Sequence, residues 1–282
     1  MNLVRTVSDL RQAVSDARQA GKSIGLVPTM GALHNGHLSL VQRACSECDF
    51  VVVSIFVNPT QFNNPDDLRT YPRTLDKDTR FLADNSRVDV IFAPTVEEVY
   101  PEPDTRTFSF GPLAEVMEGK YRPGHFNGVA QVVSKLFDFA RPDKAYFGLK
   151  DFQQLAIIRR MVADLGLGIS IVPCPIVREA DGLALSSRNT LLTPEARAAA
   201  PFIAKVLARS TQLTDQYTPV QLAQWVQGQI DATQGLETEY YQIVDGNTLQ
   251  PVEAWTDADY VVGCVTVYAG KVRLIDNVTY KE

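Results

Sequence analysis

Short apolar segments rich in β-branched residues alternate with segments of helical periodicity through the first two thirds of this sequence. Strands are predicted at 23–28, 49–57, 89–94, 144–148 and 169–177. Helices are predicted between them at 36–48, 75–85, 127–141 and 151–166. Alternation this regular is typical of βαβ units. We therefore predict an α/β fold with a doubly wound parallel sheet and helices on both faces.

The pattern changes near residue 177. Predicted helices at 193–210 and 219–235 precede predicted strands at 238–245, 260–270 and 271–280. Helices followed by strands are typical of an α+β domain. We therefore predict two domains, one at 1–176 and a smaller α+β C-terminal domain at 177–282.

The net charge, the first twenty residues and the cysteine content indicate which class of protein to expect. The 33 acidic and 27 basic residues give a net charge of −6, which argues against a general nucleic-acid binder. The first twenty residues lack a signal-peptide core, and no window reaches the roughly 18 apolar residues of a membrane span. Four cysteines suggest reduced thiols, and Cys45 and Cys48 are interpreted as two thiols on one helix. We expect a cytoplasmic protein.

Two histidines, His34 and His37, follow the first predicted strand at the start of the next helix. Gly31 and Gly36 lie beside them and allow a close approach of the backbone to a ligand. A metal site needs a third ligand, and the remaining histidine, His125, is far away in sequence. A chance pair would be the default for H-x-x-H alone, but the free N–H groups of a helix N-terminus favour an anion such as phosphate.

Further polar residues follow the other predicted strands. Asn58 and Gln61 come after the strand at 49–57, although an Asn-Pro step is also ordinary turn chemistry. The stretch RPGHFNG at 122–128 fits a helix cap and a mobile flap equally well. Lys150 follows the strand at 144–148 and suits a phosphate, while Gln154 in the next helix would form an amide pair with Gln61 that orients a carboxylate.

The stretch SSRN at 186–189 places four hydrogen-bonding side chains in a row before a predicted helix start at Thr193-Pro194. A polar loop is the default interpretation. Because two histidines and a lysine are also predicted at the site, the stretch is interpreted as a second wall of a polyphosphate-binding pocket.

Six motifs in order identify a resemblance: VPTMGALHNGH, FVNPTQF, YPRT, RPGHFNGV, FGLKDFQQL and DGLALSSRN. Together with the C-terminal LIDN, they resemble the pantothenate synthetase (pantoate–β-alanine ligase) family across the whole chain. HNGH also resembles the H-x-G-H signature of the nucleotidyltransferase superfamily, which class I aminoacyl-tRNA synthetases share. Six motifs in the order of the family make coincidence very improbable.

The resemblance implies ATP-dependent amide formation. Pantoate attacks the α-phosphorus of ATP, pyrophosphate leaves, and the amine of β-alanine then attacks the pantoyl adenylate to give pantothenate and AMP. It also implies Mg²⁺ with ATP as co-substrate, a Rossmann-like ATP- and pantoate-binding domain with a C-terminal lid domain, and a homodimer. The expected partners are therefore small molecules, with no nucleic acid and no membrane.

The family pattern assigns roles to residues of this sequence. His34, His37 and Lys150 are the implied catalytic residues, with His37 as the acid. Gln61 and Gln154 are the implied pantoate-binding pair, with Gln61 also at the β-alanine position. The implied ATP-contacting residues are Met30, Gly31, Ala32, Leu33, His34, Asn35, Gly36, His37, Gly148, Leu149, Lys150, Asp151, Val177, Leu185, Ser186, Ser187 and Arg188.

One departure and one open point accompany the resemblance. Leu149 stands where the family often has an acid, so the side chain at that position is not expected to take part in the chemistry. Asp76 and Asp78 lie in a region associated with Mg²⁺ in some members, but the spacing of acids varies there. Metal ligands are therefore left unknown, since triphosphate oxygens and water hold Mg²⁺ with few protein ligands.

Other functions are possible alternatives. A nucleotidyltransferase or a degraded aminoacyl-tRNA synthetase core would stay within ATP chemistry. A tRNA synthetase core would normally carry a basic RNA-binding domain, and the remaining residues are not notably basic. A nucleotide sensor that binds ATP without turnover has no need for the Gln61 and Gln154 pair. A dinucleotide oxidoreductase is disfavoured because no G-x-G-x-x-G follows the first strand.

Overall fold

A six-stranded parallel sheet forms the centre of the first of two units in the computed structural model, which describes residues 1–282. This unit comprises residues 1–110, 121–149 and 154–175. The strands are β1 (Asn2–Val4), β2 (Ile24–Thr29), β3 (Phe50–Ile55), β4 (Val90–Phe92), β5 (Lys144–Gly148) and β6 (Ser170–Cys174). Their order is β1-β4-β3-β2-β5-β6, and every pair is parallel. The predicted fold class is confirmed.

Eight α-helices occur between the start of the chain and the end of the sheet. They are α1 (Val7–Gln19), α2 (Asn35–Glu47), α3 (Pro65–Thr70), α4 (Leu75–Asn85), α5 (Val96–Val99), α6 (Met117–Tyr121), α7 (His125–Ala140) and α8 (Phe152–Asp164). None of the helices of the chain combines the length and the apolar character of a membrane-spanning helix.

Both faces of the sheet are covered, because successive strand residues point to opposite sides. Val27 and Val53 pack with Val41 of α2 in one buried cluster. On the other face, Phe92 packs against Phe139 of α7 with their ring centroids 6.2 Å apart. Strands that are buried on both faces have continuous runs of apolar residues, and such runs are easily recognised in a sequence.

The second unit comprises residues 111–120, 150–153 and 176–282. Its elements are α9 (Pro194–Ala199), α10 (Pro201–Ser210), α11 (Pro219–Asp231), β7 (Leu236–Asp245), β8 (Val261–Ala269) and β9 (Val272–Lys281). The three strands form an antiparallel sheet in the order β7-β8-β9. Residues of α10 and α11 share a buried core with this sheet, as expected for an α+β arrangement.

Two local expectations differ from the structure. The predicted helix at 193–210 is two helices, because Pro201 lacks the N–H that would continue the hydrogen-bond ladder and α9 ends at Ala199. The chain also begins with β1 and α1, which the pattern of alternation did not include. β1 has only three residues, too few to show a period.

Candidate functional site

The loop after β2 lies where the strand order reverses. β2 pairs with β3 on one side and with β5 on the other. The connection after β2 therefore runs toward one edge of the sheet, and the connection after β5 runs toward the other edge. In open α/β sheets, ligands bind outside the carboxyl ends of the strands at this point. Residues 30–34 occupy this position in the first unit.

The loop is held in a tight left-handed turn. Gly31 has φ of 84° and Ala32 has φ of 50°, a region that favours glycine. A Cβ at Gly31 would lie 3.1 Å from an Asp78 carboxylate oxygen, so a larger residue would also press on that side chain. The backbone N–H groups of Ala32 and Leu33 donate to Asp78 Oδ2 and Oδ1 at 2.9 and 2.8 Å. Asp78 is 1% exposed and also accepts from the Thr74 hydroxyl, so it anchors the loop.

His34 and His37 form a capping box at the N-terminus of α2, as their predicted position allowed. Gly36 N donates to His34 Nδ1 at 3.1 Å, and His34 N donates to His37 Nδ1 at 3.3 Å. A ring nitrogen that accepts carries no proton, so the neutral form of each ring has its proton on Nε2. The ring centroids are 4.0 Å apart. The pair therefore presents two N–H donor edges at a helix N-terminus, where positive partial charge favours an anion.

Gln61 lies beside the start of the same loop. Its Nε2 donates to the Met30 sulfur at 3.1 Å, and its Oε1 accepts from Asn58 Nδ2 at 3.1 Å. Asn58 is 1% exposed and accepts from the hydroxyl of Tyr100 at 2.9 Å. Burial raises the pKa of Tyr100, which keeps that hydroxyl protonated as a donor. Asn58 thus fixes the orientation of the Gln61 amide.

The stretch RPGHFNG is a helix cap that packs on the turn containing Gln61. Gly124 caps α7 with φ of 81°, and a Cβ at Gly128 would overlap the carbonyl of Thr60. His125 Nδ1 contacts the Gln61 carbonyl oxygen at 2.8 Å, and Arg122 Nη1 contacts His125 Nε2 at 3.1 Å. His125 is 6% exposed. The helix-cap interpretation therefore accounts for this stretch.

The residues after β5 fall into both units. Residues 149–151 form a 3₁₀ turn, and Lys150 Nζ lies 3.8 Å from Asp151 Oδ1. Gln153 is buried and donates to the carbonyls of residues 113 and 116, so its amide is used in packing. Gln154 lies in α8, is half-buried, and has no hydrogen-bond partner for its amide within the protein. No hydrogen bond joins it to Gln61.

Residues 177–191 form a hairpin and a 3₁₀ turn in the second unit. Leu185 N donates to the Val177 carbonyl at 3.0 Å, and Ser186 Oγ accepts from Arg188 N at 3.2 Å as the cap of the turn at Ser187–Leu191. A cavity of about 10 Å³ is lined by Lys150, Ser186 and Asp276, among others. Lys150 and Ser186 therefore lie close together within the second unit.

None of the acidic residues and thiols considered in the sequence analysis belongs to a group of side chains that could hold a metal ion. Asp76 is exposed on α4, and no group of three or more potential ligating side chains is arranged to hold a metal ion. Cys45 lies in α2 and Cys48 directly follows it, and burial raises the pKa of both thiols.

Three supporting residues were not singled out as site residues by the sequence analysis: Asn58, Asp78 and Asp276. The sequence analysis considered Asn58 as a turn residue and Asp78 as part of a region associated with Mg²⁺. Only their contacts show that Asn58 orients the Gln61 amide and that Asp78 anchors the loop at 30–34.

Comparison with known proteins gives a consistent result. The family profile described as pantoate-beta-alanine ligase matches residues 2–279. A pantothenate synthetase of Porphyromonas gingivalis is 58% identical over 282 residues, which cover 100% of both chains. The crystal structure of pantothenate synthetase from Thermus thermophilus is similar with a TM-score of 0.93 and 44% identity, covering 100% of both chains. A pantoate-beta-alanine ligase of Francisella tularensis, complexed with beta-gamma ATP and beta-alanine, has a TM-score of 0.82 and 36% identity over 99% of this chain and 98% of that chain.

Proposed function

This chain belongs to the pantoate–β-alanine ligase family, and from that premise we propose how its residues carry out the reaction. It catalyses the ATP-dependent condensation of pantoate with β-alanine to pantothenate, AMP and pyrophosphate through a pantoyl adenylate. In the first step, a pantoate carboxylate oxygen bonds to the α-phosphorus and the bond to pyrophosphate breaks. In the second, the amine of β-alanine bonds to the acyl carbon and AMP leaves with that oxygen.

The capping box of His34 and His37 is the observation that carries the assignment of the ATP site. Both rings use Nδ1 as an acceptor, so the neutral form of each ring carries its proton on Nε2 and can donate a hydrogen bond from there. We assign these donors to phosphate oxygens of ATP, where negative charge develops as pyrophosphate leaves. His37, to which the family pattern gives the role of acid, is assigned as a hydrogen-bond donor through Nε2, and the residues from Met30 to Asn35 are assigned as ATP contacts beside the pair.

The second group of ATP contacts lies on the second unit. Lys150, Ser186, Ser187 and Arg188 are assigned to the triphosphate, since a compact cation and a guanidinium neutralise charge on transferring phosphoryl groups. Lys150 and Ser186 line the same small cavity of about 10 Å³, so the two side chains lie close enough to contact neighbouring phosphate groups. Gly148, Leu149, Asp151, Val177 and Leu185 are assigned as backbone contacts.

Gln61 and Gln154 are assigned to pantoate. Neutral amides orient a carboxylate without the strong ion pair that would stabilise it in its resting state. The Gln61 amide is fixed by Asn58, and the Gln154 amide is available because nothing in the protein occupies it. Gln61 is also assigned to the β-alanine path.

No residue of the chain is assigned as a magnesium ligand. No group of three potential ligands is present, and the Asp78 carboxylate already accepts from three donors of the loop and α4 cap. We therefore propose that Mg²⁺ accompanies ATP on its phosphate oxygens, where it neutralises their charge. No step is assigned to a protein-bound metal.

The domain roles and the setting are also proposals. Residues 1–176 are assigned to binding ATP and pantoate and residues 177–282 to a lid. A homodimer in the cytoplasm, with small-molecule partners and neither nucleic acid nor membrane, is consistent with the family.

Oxygen labelling tests the chemistry. Pantoate with ¹⁸O in its carboxylate is converted with ATP and β-alanine, and AMP and pyrophosphate are analysed by mass spectrometry. Attack at the α-phosphorus places one ¹⁸O in each AMP and none in pyrophosphate. Unlabelled AMP, or label in free phosphate, would contradict the adenylate route. Unlabelled pantoate in ¹⁸O water is the control for exchange with solvent.

A further inference from the structure

Two segments assigned to ATP in the second unit are bonded to the same pair of adjacent residues on β9. These segments are the turn that carries Lys150 and the hairpin at 177–185. The adjacent residues are Asp276 and Asn277, which are 6% and 8% exposed.

Asn277 holds the turn that carries Lys150. Its side-chain Nδ2 donates to the Lys150 carbonyl oxygen at 3.1 Å. The backbone N of Asn277 donates to Asp276 Oδ1 at 2.8 Å, which fixes the Asp276 carboxylate against the backbone of β9. The hydrogen bond from the Asn277 side chain fixes the backbone of Lys150, and it therefore limits the positions that the side-chain ammonium group can occupy.

Asp276 holds the hairpin that leads to Ser186. Arg178 donates to both carboxylate oxygens of Asp276, from Nη1 at 2.6 Å and from Nη2 at 2.9 Å. Arg178 Nη1 also donates to the Gly182 carbonyl at 3.1 Å, and the backbone of Arg178 pairs with Ala184 across the hairpin. A bidentate pair fixes orientation as well as distance, so it sets the place of the hairpin relative to β9.

The two residues lie on a strand that is paired within the sheet. Asp276 and Asn277 lie opposite Val265 and Cys264 of β8 in the antiparallel sheet. Lys150, Ser186 and Asp276 line the same cavity of about 10 Å³. Functional groups held by a packed strand keep their geometry better than groups on unsupported loops.

We propose that Asp276 and Asn277 are positioning residues for the adenylation step, which set Lys150 and the Ser186–Arg188 turn at the spacing that ATP requires. This inference rests on the proposed function, because it assigns those two segments to ATP. Neither residue touches the substrate in this scheme. Each acts through the segment that it holds.

A double-mutant cycle between Asn277 and Lys150 tests the proposal. Asn277→Asp is isosteric and turns the donor toward the Lys150 carbonyl into an acceptor. Pyrophosphate–ATP exchange with pantoate should slow by about 10- to 100-fold, since displacements near 1 Å cost that much. In the Lys150→Ala background, the same change should slow exchange by less than about twofold, because the group that it positions is absent.

The outcomes separate the possible failures. Equal factors in both backgrounds, or unchanged exchange in the single variant, would overturn the positioning role. Absence of pantoate-dependent exchange in the unaltered protein would instead refute the proposed function. Should Asn277→Asp fail to fold by circular dichroism, Asn277→Ser removes the same donor without adding a charge and carries the same expectation.

Ser210→Ala is the matched control. Ser210 is fully buried in the second unit and bonds to the hydroxyl of Tyr280 on β9 at 2.7 Å, but it touches neither segment. It should lower the melting temperature while leaving the exchange rate and the KM for ATP unchanged. If it slowed exchange as much as Asn277→Asp, general loosening of β9 would explain both variants and the proposal would fail.

Discussion

Two glycine-rich loops of the first unit carry histidines at the start of a helix, and they use the imidazole ring in opposite ways. In the loop at 30–37, backbone N–H groups donate to Nδ1 of His34 and His37. In the loop at 122–128, His125 Nδ1 faces the carbonyl of Gln61, which only accepts, and Nε2 faces Arg122, which only donates. The first two rings therefore carry the neutral proton on Nε2, and His125 carries it on Nδ1.

In the proposed scheme, this difference separates the two histidines assigned to ATP from a structural one. A ring that caps its own helix through Nδ1 keeps Nε2–H as a donor on its other side, so the helix itself prepares the group for a ligand. His125 has both nitrogens in contacts with neighbouring loops and is buried, so it joins α7 to the turn at Gln61. The order of residues in HNGH and RPGH does not reveal this difference, but the hydrogen-bond partners do.

The largest effect on catalysis is expected at His37. His37→Ala removes a hydrogen-bond donor to the phosphate oxygens on which charge develops, so pantoate-dependent pyrophosphate exchange should fall by about 10²- to 10³-fold. Stability should fall by less than about 1 kcal/mol, since a single cap bond is lost. Exchange assays and urea unfolding measure the two quantities. A variant with near-normal exchange would remove the distinction between the two loops.

Asp78 should come next, because it supports the first loop without belonging to it. Asp78→Asn places an amide against the N–H groups of Ala32 and Leu33, where two acceptors are needed. We expect a loss of about 1–3 kcal/mol in the free energy of unfolding. The KM for ATP should rise by about tenfold, the equivalent of about 1.4 kcal/mol. An unchanged KM would show that the turn at Gly31 does not depend on this carboxylate.

Gln61 joins the two loops and should affect a different substrate. Gln61→Ala removes the side-chain amide but keeps the carbonyl that His125 contacts. The KM for pantoate should rise by about fivefold or more and that for ATP by less than about twofold. Steady-state kinetics with each substrate varied in turn measure the two KM values. The reverse ranking would mean that the amide serves the nucleotide.

The smallest effect on catalysis is expected at His125. His125→Ala leaves the Gln61 carbonyl and Arg122 without their partner, so the free energy of unfolding should fall by about 1–3 kcal/mol. The exchange rate of the folded enzyme should stay within about threefold of the unaltered protein. His37→Ala is the matched variant, with the opposite ratio of the two effects. A loss of activity as large as that of His37→Ala would place His125 in the chemistry.

The sheet was predictable because its strands are buried on both faces. Continuous runs such as FVVVSI have no other stable environment in a soluble domain, and the regular helices between them leave few topologies. β1 was missed because three residues carry no period and are placed only by pairing with β4. The break at Pro201 follows from local chemistry, but a run of alanines before it hides the end of α9.

The candidate site was predictable where residues follow strands, and not where distant segments support them. His34, His37 and Gln61 follow β2 and β3, so the topology of the sheet alone places them at one edge. The roles of Asp78 and Asn277 depend on contacts with residues 46 and 127 positions away. Sequence spacing holds no information about such pairs, and the tautomers of the three histidines depend on the same kind of contact.

Pyrophosphate–ATP exchange with and without pantoate, in the absence of β-alanine, tests the central claim most directly. Labelled pyrophosphate should enter ATP only when pantoate is present, because the reverse of adenylate formation is the step that makes ATP again. Exchange that is independent of pantoate, or no exchange in folded protein that binds ATP, would contradict the assignment of pantoyl adenylate formation to this site.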